Sequence, residues 1–76
     1  MKNEIFYVLM DKRNLTYHIE NGYTTDDVMQ AMQFNTDKIA LKYLLEEIDE
    51  DVQEEFEIYK IDMNVYFELV KKENIQ

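Results

Sequence analysis

Val52-Gln53-Glu54-Glu55-Phe56-Glu57-Ile58-Tyr59-Lys60-Ile61-Asp62-Met63-Asn64-Val65-Tyr66-Phe67-Glu68-Leu69-Val70 is the stretch on which the fold class turns. Phe56 and Ile58 share one side of a period-2 pattern, and Tyr59 and Ile61 share the other. Val65, Phe67 and Leu69 then alternate with Tyr66, Glu68 and Val70, which reads as two strands around Asp62-Met63-Asn64. Val52, Phe56, Tyr59, Met63, Tyr66 and Val70 also fall at helical spacing, so a helix over the same residues stays open. No Gly or Pro arbitrates. The Ile, Val, Tyr and Phe content favours the strands.

The N-terminal third supplies the partner strands. Residues 4–10, Glu-Ile-Phe-Tyr-Val-Leu-Met, form a short apolar run of the kind covered on both faces. Asp11-Lys12-Arg13-Asn14 reads as a solvated turn, with Asn14 suited to a left-handed backbone. Leu15, Tyr17 and Ile19 alternate with Thr16, His18 and Glu20, the signature of a strand with one wet face. His18 then reads as a surface histidine on that wet face. Asn21-Gly22, with the chain's one Gly, marks the next turn. Tyr23-Thr24-Thr25 is too short to suggest a strand, so Thr25 is read as the cap of a brief helical turn through Val28, Met29 and Met32. Asn35-Thr36-Asp37 is a second helix start, and Ile39, Ala40, Tyr43, Leu44 and Ile48 follow at helical spacing. The expected fold is therefore α+β in one domain over residues 1–76. It comprises a small antiparallel sheet, from a hairpin over 4–20 and C-terminal strands over 56–70, with one main helix over 36–48 on one face. Ile39, Leu44 and Ile48 are expected to bury against Phe6 and Val8.

Charge is distributed unevenly. The net charge is −9, and eight of the twelve residues from Glu46 to Glu57 are acidic. Residues 1–45 carry six acids against five bases, and residues 58–76 carry three against three. Such a run commonly serves as a solvated face that keeps a small protein soluble. Here two physical points favour a binding role. Glu46, Glu47, Asp49 and Glu50 crowd the C-terminal end of the expected helix, where the dipole disfavours negative charge. They also repel one another with no base inside the segment. A basic partner surface would offset both costs. The expected partner-binding residues are Glu46, Glu47, Asp49, Glu50, Asp51, Glu54, Glu55 and Glu57, joined by Tyr17 and Tyr66 as the exposed tyrosines.

The composition excludes much chemistry. There is no Ser and no Cys, so neither nucleophile is available, and disulfides and thiolate metal sites are excluded. One Gly rules out a Walker loop and a dinucleotide fingerprint. One His without Cys is too few ligands for zinc. Asp49-x-Asp51-x-Gln53 begins like a calcium loop, but Glu54 stands where Gly is needed and Lys60 where a bidentate Glu is needed. No catalytic residue, metal or cofactor is expected. The acidic balance disfavours direct contact with nucleic acid or anionic lipid. No apolar run reaches the ~20 residues of a membrane span, and the first ten residues lack the features of a secretory signal. A cytoplasmic location is expected.

Thr25-Asp26-Asp27, Ala31, Phe34, Thr36 and Ala40 together resemble a pattern in small accessory proteins of phages and prophages from low-GC Gram-positive bacteria. The similarity covers residues 4–61. It implies a hairpin, a short helical turn, a helix and a closing strand, and it assigns no functional residue. Combined with the acidic run, it leads to a non-enzymatic inhibitor or regulator that occupies the basic nucleic-acid-binding surface of a host protein. Targets would include host defence nucleases such as CRISPR effectors, which would make the chain anti-CRISPR in kind. The alternative is a homo-oligomeric structural module. A homodimer is expected through an open strand edge between Ile58 and Val70.

Overall fold

The computed structural model describes residues 5–20, 23–62 and 67–75. The Asn21-Gly22 turn and Tyr66 lie outside the described residues.

The strands are β1 (Ile5–Asp11), β2 (Thr16–His18), β3 (Thr24–Thr25), β4 (Phe56–Asp62) and β5 (Phe67–Val70). They form one antiparallel sheet in the order β3-β2-β1-β4-β5. The period-2 reading therefore prevails over the helical stripe along residues 56–62 and 67–70, while Met63, Asn64 and Val65 lie outside the described residues. Val52 falls outside the strands, and Phe56 and Tyr59 end on opposite faces. The N-terminal strand holds the centre. It pairs with β4 along its whole length, from Ile5 opposite Asp62 to Asp11 opposite Phe56. On its other side β2 covers Met10 and Asp11, and Phe34 takes over at Tyr7 through two backbone hydrogen bonds of 2.8 Å.

The helix α1 spans Asp37–Glu47. Its start is set as the sequence indicates: Thr36 is the N-cap, and its Oγ1 accepts the Ile39 N–H at 3.1 Å. Ala40 and Leu44 are fully buried and pack on Leu9, Phe56 and Ile58. The other sheet face carries a second cluster of Phe6, Val8, Ala31 and Ile61. A central strand covered on both faces explains the unbroken apolar run of β1.

Several local expectations are corrected. Ile39 is 49% exposed, because only the stripe through Ala40 and Leu44 meets the sheet. Phe6 and Val8 bury on the face opposite α1, so the helix never touches them as a core pair; Ile48 is half-buried with the Leu44 cluster. Thr24 and Thr25 do form a strand, short but paired with His18 and Tyr17. The following helical turn is a 3₁₀ segment, Val28–Gln30, capped by Asp27, whose Oδ1 accepts the Met29 N–H at 3.0 Å. Thr25 Oγ1 instead accepts the Asp27 N–H. In the first hairpin it is Leu15, not Asn14, that takes positive φ, at 57°.

Candidate functional site

The acidic run does not form one face. Glu46 and Glu47 end α1, Asp49 starts a 3₁₀ helix over Glu50–Glu55, and Glu57 lies in β4 opposite Met10. Glu46, Glu47, Asp49, Glu50, Asp51 and Glu54 are exposed and sit on the helix side of the sheet. Glu55 is half-buried, and its carboxylate approaches Arg13 at 3.8 Å. Glu57 belongs to the other side, near Lys12 and Lys72. Among the described residues no ion pair reaches Glu46, Glu47, Asp49, Glu50, Asp51 or Glu54. Tyr17 is half-buried against the Phe6–Val8 cluster, with its ring edge-on to Phe67 at 6.3 Å. Among the described residues Tyr23, at 69% exposed, is the most open tyrosine.

The end of α1 is stabilised without a cation. Gln53 turns back from the 3₁₀ helix, and its Nε2 donates to Leu45 O at 3.3 Å and Ile48 O at 2.9 Å. Two helix-terminal carbonyls are thereby satisfied. Lys72 Nζ in turn donates to Gln53 O at 3.3 Å. This reversal sets Glu47 and Asp49 at the mouth of a cleft of about 410 Å³. Ile48, Val52 and Phe56 give the cleft an apolar wall, and Asp11, Arg13, His18, Thr24 and Tyr43 give it a polar one.

The polar wall was not evident from sequence. His18 is buried at 3% exposure rather than wet, because α1 covers the sheet face that His18 shares with Asp11. Its Nε2 lies 2.9 Å from the Tyr43 hydroxyl. The Tyr43 ring stands between His18 and Phe34, at 5.4 and 5.2 Å, and Phe56 meets His18 edge-on. Burial pushes the His18 imidazole below its ordinary value, with the Glu20 charge opposing, so the ring is neutral at pH 7. Burial also raises the Tyr43 phenol, helped by Glu47 and Glu20.

Asp11 is buried at 3% exposure and is held by the turn that follows it. Its carboxylate accepts the Arg13 N–H at 2.9 Å, Arg13 Nε at 3.1 Å and Nη2 at 3.0 Å, and Asn14 Nδ2 at 3.3 Å. The Arg13 hydrogen bond holds this carboxyl below its usual range, against the opposing effect of burial. The expected solvated turn at Lys12-Arg13 is exposed, and within it Arg13 clamps Asp11 and reaches Glu55.

No protein-family model, curated protein or solved structure matches this chain.

The described residues hold no cluster of three or more His, Asp or Glu side chains placed to bind a metal, and no helix among them is long and apolar enough to cross a membrane. What the cleft offers is an anionic mouth, a neutral imidazole, a phenol and two aromatic rings.

Proposed function

We propose that this protein is a non-enzymatic acidic protein-binding module, an inhibitor or regulator that occupies the basic nucleic-acid-binding surface of a host protein. The observation that carries the reading is the set of six exposed carboxylates, Glu46, Glu47, Asp49, Glu50, Asp51 and Glu54, on consecutive turns with no ion pair among the described residues. They stand in for backbone phosphates, and Lys or Arg side chains of the partner pair with them. Glu55 and Glu57 contribute less, since Arg13 approaches the first at 3.8 Å and the second lies on the other face of the sheet. Following the phage resemblance, a host defence nuclease, CRISPR effectors included, is the favoured class of target. The test is a variant with Glu46, Glu47 and Glu50 changed to Gln and Asp49 and Asp51 to Asn. The native protein captures a nucleic-acid-binding protein from host lysate, competes with its nucleic acid, and lets go as salt rises. The variant associates more slowly and shows a flatter salt dependence. Unchanged affinity and salt slope in the variant would end this reading.

A second reading is supported by the sheet edge. β5 is an edge strand, and its Phe67 and Leu69 are 46% and 42% exposed. An open apolar edge is a template for pairing with a second copy. This homo-oligomeric module has salt-insensitive association, and Leu69→Lys abolishes it. Light scattering at the monomer mass of 9.3 kDa across a wide concentration range would exclude it.

A further inference from the structure

We propose that the outward face of α1 is a contact surface between two copies of this chain, joined antiparallel about a two-fold axis close to Leu45. Such a dimer is separate from both readings above: it needs neither a basic host surface nor the β5 edge.

The face is apolar where a surface helix is ordinarily polar. A groove of about 260 Å³ runs along it, lined by Lys38, Leu41, Lys42, Leu45, Glu46 and Ile75. Leu41 and Ile75 are half-buried against the cluster around Leu44. Leu45 stands clear of that cluster at 57% exposure, and the groove lies open beside it.

The charges around the groove select what covers it. Lys38, Lys42 and Glu46 are exposed, and no ion pair reaches any of them among the described residues. Their order also opposes the helix dipole: the two bases precede Glu46 and Glu47, and the last turn of α1 holds no base. An acidic segment in the groove would attract the lysines but repel Glu46, and a basic segment would do the reverse. The surface that satisfies all three presents an apolar side chain flanked by both signs, in the opposite order along its length. Helix α1 of a second copy, run antiparallel, is that surface.

The register follows from the spacing. Lys42 and Glu46 lie four apart, on adjacent turns of one face. Setting Lys42 opposite Glu46 of the second copy places the two-fold at the level of Leu44, and symmetry makes the pair twice. Leu45 is one residue, about 1.5 Å of rise, from that level. The two Leu45 side chains therefore meet at the axis, between the two ion pairs, and close both grooves. Each acidic helix end then lies beside a base of the other copy, which offsets the cost of placing Glu46 and Glu47 at a helix C-terminus. A chain of 76 residues has a small core and gains from such burial.

Light scattering on the full chain tests the dimer, which gives twice the monomer mass of 9.3 kDa at the upper end of a wide concentration range. Lys42→Glu and Glu46→Lys each set like charges opposite one another twice, and each weakens the dimer by about tenfold. The double variant, with both changes, restores it. The net charge of −9 cannot produce this pattern, because the first change makes the chain more acidic and the second less so. Leu45→Lys leaves monomer only, whereas Leu69→Lys on β5 leaves the dimer intact. All four positions are exposed, so the variants keep the fold, which their amide spectra check. Monomer mass at every concentration, or a dimer indifferent to Leu45→Lys, would overturn the proposal. So would charge reversals that shift the dimer in opposite directions, or that the double variant fails to rescue. A dimer lost in Leu69→Lys and kept in Leu45→Lys would place the contact at the β5 edge instead.

Discussion

His18 Nε2 and the Tyr43 hydroxyl meet at 2.9 Å across 25 positions of sequence, tying β2 to α1 on the helix-covered face of the sheet. The bond lets a polar ring occupy a layer otherwise built from Leu9, Leu44, Phe56 and Ile58. Tyr43→Phe keeps the ring stacking and removes the hydroxyl, leaving a buried nitrogen unmatched. A destabilisation of about 1–3 kcal/mol follows, read from urea unfolding. A variant as stable as the parent would show that the bond is dispensable.

The same histidine predicts a pH dependence. Burial holds its folded-state value below the ordinary 6.5, so the unfolded chain binds more protons in the interval between the two. Its contribution to stability is complete above 6.5 and is lost as pH falls through the lowered folded value. Asp11 adds a second loss at more acid pH, because its folded value is held below 3.8 by Arg13 and its contribution disappears as pH falls through that value. The Glu20 charge opposes the shift, and Tyr43, Glu47 and Asp49 line the same cleft as the histidine. Thermal melts across this range, with the His18 ring followed by NMR, check both; a His18 midpoint at or above 6.5 would contradict the burial.

Core and surface positions of α1 separate sharply. Leu44→Ala opens a cavity beneath the helix and costs about 2–5 kcal/mol, a large share of the stability of so small a domain. Ile39→Ala, at a position half open to solvent, stays near ~0.5 kcal/mol. Chemical denaturation of the two variants side by side distinguishes them.

Leu15 is 70% exposed and holds φ at 57°, a region where a Cβ crowds the backbone. Its N–H closes the hairpin loop on Asp11 O at 2.8 Å. Leu15→Gly removes the crowding without removing a core contact and raises stability by about 1 kcal/mol. A lower melting temperature for this variant would show that the leucine side chain matters to the loop.

The sequence by itself determined most of the longer local elements and the charge, though not the short strand Thr24–Thr25. Alternation along residues 56–62 and 67–70, an unbroken apolar run at 5–10 and the Thr36 cap each act through neighbours a few positions apart, and such signals survive without a fold around them. The net charge and its concentration between Glu46 and Glu57 were legible in the same way. Only the tertiary structure decided what those elements face. A period of two says that Thr16 and His18 share a side, but not that a helix will cover that side, so the histidine that reads as wet is buried. Pairing of Asp11 with Phe56 brings Arg13 to Glu55 across more than half the chain and takes that acid out of the free set. Gln53 folds the acidic run back on the end of α1, which divides one block of charge into a cleft mouth, an exposed turn and a strand on the far face. Each of these outcomes depends on contacts between segments remote in sequence, and no local pattern encodes which segments will meet.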